Sequence, residues 1–140
     1  MITTLTSGKA ESDQIPIKGI NIRRCRGCAK CMTDNLGDCA IEDGFTPILH
    51  KILSSDTLII ITDIEDHCFT MPMRKAIERI GNILEAWTTS GHNTPKCNND
   101  MKLRDIFISV CGSKDSLFEN NTREMLEKGP VSIHFEYGYN

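Results

Sequence analysis

Four cysteines crowd one short stretch of the chain, in the spacing Cys25-x2-Cys28-x2-Cys31-x7-Cys39. Two consecutive C-x-x-C steps let three thiolates converge within one loop, and the fourth closes the site from the other side. Four thiolates are the ligand set of a [4Fe–4S] cluster. Gly27 permits close approach of backbone to sulfur, and Gly37 permits the return turn. Arg23, Arg24, Arg26 and Lys30 surround the loop. Positive charge there lowers thiol pKa values and offsets the charge of ligated thiolates. Three rivals stand beside this reading. A four-cysteine zinc site usually pairs two C-x-x-C knuckles across a longer spacer. A redox C-x-x-C pair leaves Cys31 and Cys39 without a task. A cysteine-rich loop without metal leaves all four idle.

Two further groups carry chemistry-bearing side chains. Asp63, Glu65, Asp66 and His67 follow an apolar run and form either a metal or acid–base site or, more simply, a solvated acidic loop. His67 and Cys68 are neighbours in sequence, which does not make them a nucleophile pair. Cys111-Gly112-Ser113-Lys114 follows a second apolar run and reads either as the rim of a ligand site or as an ordinary turn with Ser113 capping a helix. Cys97 sits in a polar stretch and is incidental, and His134 alternates outward to the surface.

The elements that position these groups can be read from periodicity. Thr57-Leu-Ile-Ile-Ile-Thr62 and Ile106-Phe-Ile-Ser-Val-Cys111 are continuous apolar runs, suited to strands buried on both faces of a parallel sheet. Val131-Ser-Ile-His-Phe-Glu-Tyr137 alternates and predicts a half-exposed edge strand. Ile2, Thr3, Thr4, Leu5 and Thr6 form a weaker fourth candidate. Thr46 as N-cap with Pro47 at the first helical position starts one helix, whose stripe is Ile48, Leu49, Ile52 and Leu53. A second starts near Thr70 with Pro72 in its first turn, and Met73, Ile77, Ile80, Leu84 and Trp87 form its core-facing stripe. A third runs from Ser113 or Lys114 to Lys128, stopped by Gly129-Pro130. Residues 88–100, with Gly91, Pro95 and several Asn, read as a surface connection. From residue 45 on, helix and strand alternate. That predicts an α/β fold with right-handed crossovers and ligands beyond the carboxyl ends of the strands. Those ends are Thr62 to Thr70 and Cys111 to Ser116.

The chain has 140 residues, which predicts a single domain spanning 1–140 with a cysteine-rich loop at 25–39. Hydrophobic residues make up 39% and charged residues 25%, the balance of a globular chain. Sixteen Lys and Arg against nineteen Asp and Glu leave a formal charge of −3, which argues against a nucleic-acid coat. Leu58-Ile59-Ile60-Ile61 is far short of a membrane span. The first residues lack a basic segment followed by an apolar one, so secretion is not expected. Seven cysteines, an odd count, then suit reduced thiols or a metal site in a cytoplasmic protein rather than a disulfide framework.

Ile22-Arg-Arg-Cys25-Arg-Gly-Cys28-Ala-Lys-Cys31, with Gly37-Asp-Cys39-Ala-Ile-Glu-Asp43, resembles the compact cysteine motif of the iron–sulfur flavoproteins, within the NAD(P)H-dependent FMN reductase group. The likeness extends through the helix at 48–53, the Ser55-Asp56 entry to the strand at 57–62, and Met73-Arg-Lys-Ala-Ile-Glu-Arg79. It covers residues 17–86 well and 103–137 in pattern. The resemblance implies a flavodoxin-like three-layer sandwich, with a mainly parallel sheet of about four strands, truncated at both ends. It implies an electron-transfer oxidoreductase with a [4Fe–4S] cluster on Cys25, Cys28, Cys31 and Cys39. It also implies FMN held by Ser7, Gly8, Thr62, Asp63, Ile64, Cys111, Gly112 and Ser113. NAD(P)H or a small redox protein would be the partner, with no nucleic acid and no membrane. The chain departs from the family pattern at two places. The segment before Cys25 is short for the family's strand, phosphate loop, helix and second strand, so Ile2 to Thr6 is either the strand before that loop or the family's second strand. Asp63 and Glu65 stand where the family's second flavin loop has proline and tyrosine, which removes an aromatic surface for a flavin ring. These departures motivate two alternatives: a flavodoxin-like protein without flavin that serves as a binding or assembly partner, and a zinc-stabilised binding module. A sheet missing helices exposes an apolar face, so a homo-oligomer is expected.

Overall fold

The computed structural model describes residues 2–6, 11–33, 37–89, 101–129 and 131–138. The chain opens with a hairpin, β1 (Ile2–Thr6) and β2 (Glu11–Ile15), paired antiparallel. A long loop with one 3-10 turn (Lys30–Met32) leads to α1 (Thr46–Leu53). Strand β3 (Thr57–Thr62), a small hairpin of β4 (Ile64–Glu65) and β5 (Cys68–Phe69), and α2 (Met73–Thr89) follow. Then come β6 (Asp105–Cys111), α3 (Ser116–Leu126) and β7 (Ser132–Gly138).

The main sheet has five strands in the order β2-β1-β3-β6-β7. β3, β6 and β7 are parallel, joined by the α2 and α3 crossovers, as alternation predicts. β1 runs antiparallel to β3, with Ile2 opposite Ile60 and Leu5 opposite Thr57. The sheet is therefore α/β with a parallel half and an antiparallel hairpin at one edge, not the roughly four-strand, mainly parallel sheet expected.

Burial alternates along the two central strands. Leu58, Ile60, Ile106, Ile108 and Val110 are buried, while Ile61 and Phe107 keep 39% and 38% of their surface exposed. The long apolar runs thus belong to strands covered on one face only. Side chains of all three helices join the sheet's buried face in one apolar cluster, among them Leu49, Leu53, Ile77, Ile80, Leu84 and Phe118. No helix covers the other face among the described residues, so the expected three layers are two.

The helices form where their stripes predict, with shifted starts. α1 begins at Thr46 itself with Phe45 at the cap position. The Thr46 hydroxyl instead ties the preceding loop, accepting from Asp43 N–H and donating to the Ile41 carbonyl, each at 3.0 Å. The first bonds of α2 reach back to the Thr70 and Pro72 carbonyls. α3 is capped by Asp115, whose carboxylate accepts from Phe118 N–H, and not by Ser113. β7 is an edge strand, and His134 is exposed on it, stacked on Phe107 at 4.5 Å. Among the described residues no helix is long and apolar enough to cross a membrane. Most of the polar connection at 88–100, including Cys97, lies outside the described residues.

Candidate metal centre

The loop carrying the cysteines is fastened to α2 at several points. Asp43 and Arg79 form an ion pair of 2.7 Å, with both side chains essentially buried. Asp43 also accepts from Arg23 N–H at 2.8 Å and Phe45 N–H at 3.0 Å, while Arg79 donates to the Ile41 carbonyl and stacks over Phe45. Burial pushes the Asp43 carboxyl up, but the donors from Arg23, Arg79 and Phe45 outweigh it and hold it below the usual range. Further along, Trp87 Nε1 donates to the Gly37 carbonyl at 3.1 Å. Gly37 has φ +77°, and a Cβ there would meet Trp87 Nε1 at 2.7 Å, so both backbone and space require glycine. Gly37 N–H in turn donates to the Cys31 carbonyl at 2.9 Å. Asp38 accepts from Cys39 N–H at 2.8 Å and faces His50 Nε2 at 2.9 Å.

This loop carries the four cysteines. Cys31 and Cys39 pack against the apolar core, Cys25 is half-buried, and Cys28 is exposed. Burial raises the Cys31 thiol pKa, and the neighbouring Cys25, Cys39 and Cys28 raise it further. Cys25 Sγ accepts two hydrogen bonds, from Asn82 Nδ2 of α2 at 3.1 Å and from Gly27 N–H at 3.4 Å. Gly27 sits at φ +67°, the conformation that turns its N–H back onto the sulfur. Arg24 is drawn to Glu78 of α2 at 3.3 Å, and Arg23, Arg26 and Lys30 are exposed around the loop.

Among the described residues, no three His, Cys, Asp or Glu side chains come together tightly enough to hold one metal ion. A mononuclear zinc centre needs its thiolates gathered at about 2.3 Å from a single ion. A cluster spreads its thiolates over separate irons.

The described residues expected to bind FMN line two neighbouring clefts. Ile64, Cys111, Gly112 and Ser113 line a cleft of about 400 Å³ beyond β3 and β6. Thr62 and Asp63 line a neighbouring cleft of about 490 Å³, which shares Cys111. Ser7 and Gly8 lie outside the described residues; β1 itself ends beside Thr57. That is the opposite end of β3 from Thr62, roughly 16 Å away at about 3.3 Å per residue. β1 also continues into an antiparallel strand, where a phosphate loop would lead into a helix N-terminus. Among the described residues, the six expected FMN contacts are thus divided between two clefts.

Sequence reasoning did not find Asn82, the Asp43–Arg79 pair or the His67–Asp115 contact. In the last, His67 Nδ1 meets Asp115 Oδ2 at 2.7 Å across the first cleft. Asp66 and His67 form the two-residue turn between β4 and β5, with φ of +50° and +60°. Asn121 Nδ2 donates to the His67 carbonyl at 3.2 Å and holds that turn. Asp63, Glu65 and Asp66 are exposed, as the solvated acidic loop predicts.

No family model matches the chain, nor does any curated protein or solved structure.

Proposed function

We propose that the chain is an electron-transfer protein in which Cys25, Cys28, Cys31 and Cys39 ligate a [4Fe–4S] cluster. The observation behind this reading is a loop of four cysteines that the Asp43–Arg79 pair anchors to α2, with Cys31 and Cys39 packed against the core and Asn82 and Gly27 N–H donating to the Cys25 sulfur. The bound cluster would supply one-electron storage. The chain's own groups do the rest. Arg23, Arg26 and Lys30 offset the charge of the thiolates. The apolar packing of Cys31 and Cys39 keeps water from that side of the loop. Exposed Cys28 marks the side from which a partner exchanges electrons. A one-electron centre without flavin has no hydride acceptor, so the partner is a small one-electron redox protein and not NAD(P)H itself.

The strand order also supports kinship with flavodoxin-like sheets, which are ordered 2-1-3-4-5. β2-β1-β3-β6-β7 has the same order with β1 reversed. The protein is thus read as a flavin-free variant on that sheet.

Iron content after anaerobic reconstitution with iron and sulfide tests the reading. Wild type should hold four irons per chain, Cys28→Ser and Cys31→Ser substantially fewer, and Cys68→Ser the full complement. Equal iron in all four proteins would remove the assignment.

A second reading has its own observation. Among the described residues, Ile59, Ile61 and Phe107 form a partly exposed apolar strip on the face of β3 and β6 away from the helices, and parallel strands are normally covered on both faces. That strip supports a homo-oligomer, with a second copy lying on it.

A further inference from the structure

A second group of chemically active side chains lies away from the cysteine loop. The cleft of about 400 Å³ beyond β3 and β6 is lined by Asp66 and His67 from the β4–β5 turn, and by Ser113, Lys114 and Asp115 from the lead into α3. Beyond the carboxyl ends of parallel strands is where α/β sheets bind ligands. Within the cleft, His67 Nδ1 meets Asp115 Oδ2 at 2.7 Å. The other Asp115 oxygen accepts from Phe118 N–H at 2.9 Å, which fixes the carboxylate. That N–H, and then the His67 contact, hold the carboxyl below its usual range, so it is ionised at neutral pH. An ionised carboxylate only accepts, so Nδ1 is the ring nitrogen that carries hydrogen. The neutral ring then has its lone pair on Nε2. The His67 side chain keeps 57% of its surface exposed, so a solute reaches it.

The imidazole is also held through its backbone. A two-residue hairpin turn with positive φ at both positions favours glycine at the second. His67 stands there instead, at φ +60°. Asn121 of α3 donates to its carbonyl at 3.2 Å, and Phe69 of β5 meets Phe118 of α3 edge-on at 4.9 Å. The turn is thus pinned to the same helix that Asp115 caps.

We propose that this cleft is a hydrolytic site for small polar esters, with His67 as general base and Asp115 as the residue that positions it. The cleft is open and its named walls are polar, so water reaches the imidazole. A water oxygen adds to the ester carbonyl carbon as its proton passes to His67 Nε2. The C–O bond to the leaving alcohol then breaks, and the proton passes on to that oxygen. Lys114 lines the same cleft and brings positive charge for the carbonyl oxygen that turns negative. Asp115 touches no substrate: it acts by fixing the ring and its tautomer.

The test is steady-state hydrolysis of p-nitrophenyl acetate, read after any initial acylation of cysteines. It compares wild type, His67→Asn, Asp115→Ser and, as control, His134→Asn on the edge strand. Asparagine tolerates the left-handed conformation, and serine caps α3 without reaching the ring. His67→Asn should lose about a hundredfold in kcat/KM. Asp115→Ser should lose about tenfold, mainly in kcat, and its ¹⁵N ring spectrum should show His67 leaving the Nδ1–H tautomer. His134→Asn should match wild type. If Asp115→Ser fails to fold by circular dichroism, Asp115→Asn, which keeps a capping oxygen and loses the charge, decides. A wild type no faster than free imidazole at equal concentration, or His67→Asn as fast as wild type, overturns the site. An unchanged His67 tautomer in the Asp115 variant overturns the positioning role. None of these readouts depends on iron.

Discussion

At the scale of single residues, chemistry is legible where it is local. Cys25, Cys28, Cys31 and Cys39 announce themselves because three of them share one run of sequence, and the structure places all four on one loop fastened to α2. The groups that hold them are invisible in sequence because their partners are remote: Arg79 lies 36 residues from Asp43 and Asn82 lies 57 from Cys25. No local pattern selects one arginine of a helix as the buried one. Asp43→Ala leaves Arg79 buried without its partner, so it should cost about 3–5 kcal/mol of stability by urea unfolding. Gly37→Ala combines a φ of +77° with a collision against Trp87, and should cost about 2–4 kcal/mol by the same measurement. The Asp43 carboxyl titrates below its ordinary value near pH 3.9. Its contribution is therefore complete above that value and is lost as pH falls through the lower, folded one. Thermal midpoints recorded from pH 6 down to pH 3 should be flat at first and then drop steeply. In Asp43→Asn that acid limb should be shallower.

At the scale of elements, the helices and the three parallel strands follow from periodicity. Met73, Ile77, Ile80, Leu84 and Trp87 are all buried, as their spacing predicts. The direction of β1 was not legible. A short polar strand such as Glu11–Ile15 carries no apolar pattern, so nothing in the sequence announces a hairpin. Without it, Ile2 to Thr6 reads equally well as a parallel strand. The start of α3 was misplaced for a related reason. Ser113 and Asp115 are both good caps, and Asp115 is favoured because the same carboxylate also meets His67. Asp115→Ala should lower the thermal midpoint and loosen the β4–β5 turn, seen as faster amide exchange at His67 and Cys68. Asp115→Asn keeps a capping oxygen and should retain most of the stability.

At the scale of the whole molecule, the two-layer architecture is the consequence that reaches furthest. The apolar runs of β3 and β6 suggested burial on both faces, and the structure supplies cover for one. The exposure of Ile59, Ile61 and Phe107 is not legible, because a strand's own sequence does not say whether its second face is covered by its own chain or by another. Light scattering should find an oligomer, and Phe107→Glu should shift it towards monomer without unfolding it. A monomeric wild type at micromolar concentration would contradict the assembly reading. The central claim, that this fold carries an iron–sulfur centre and no flavin, is tested most directly by one sample. Protein purified without oxygen, with iron, zinc and the visible spectrum measured together, should be brown, with a broad shoulder near the blue, iron in excess of zinc, and no twin flavin bands. A colourless protein that stays iron-free after reconstitution, or one that carries stoichiometric zinc, would contradict it.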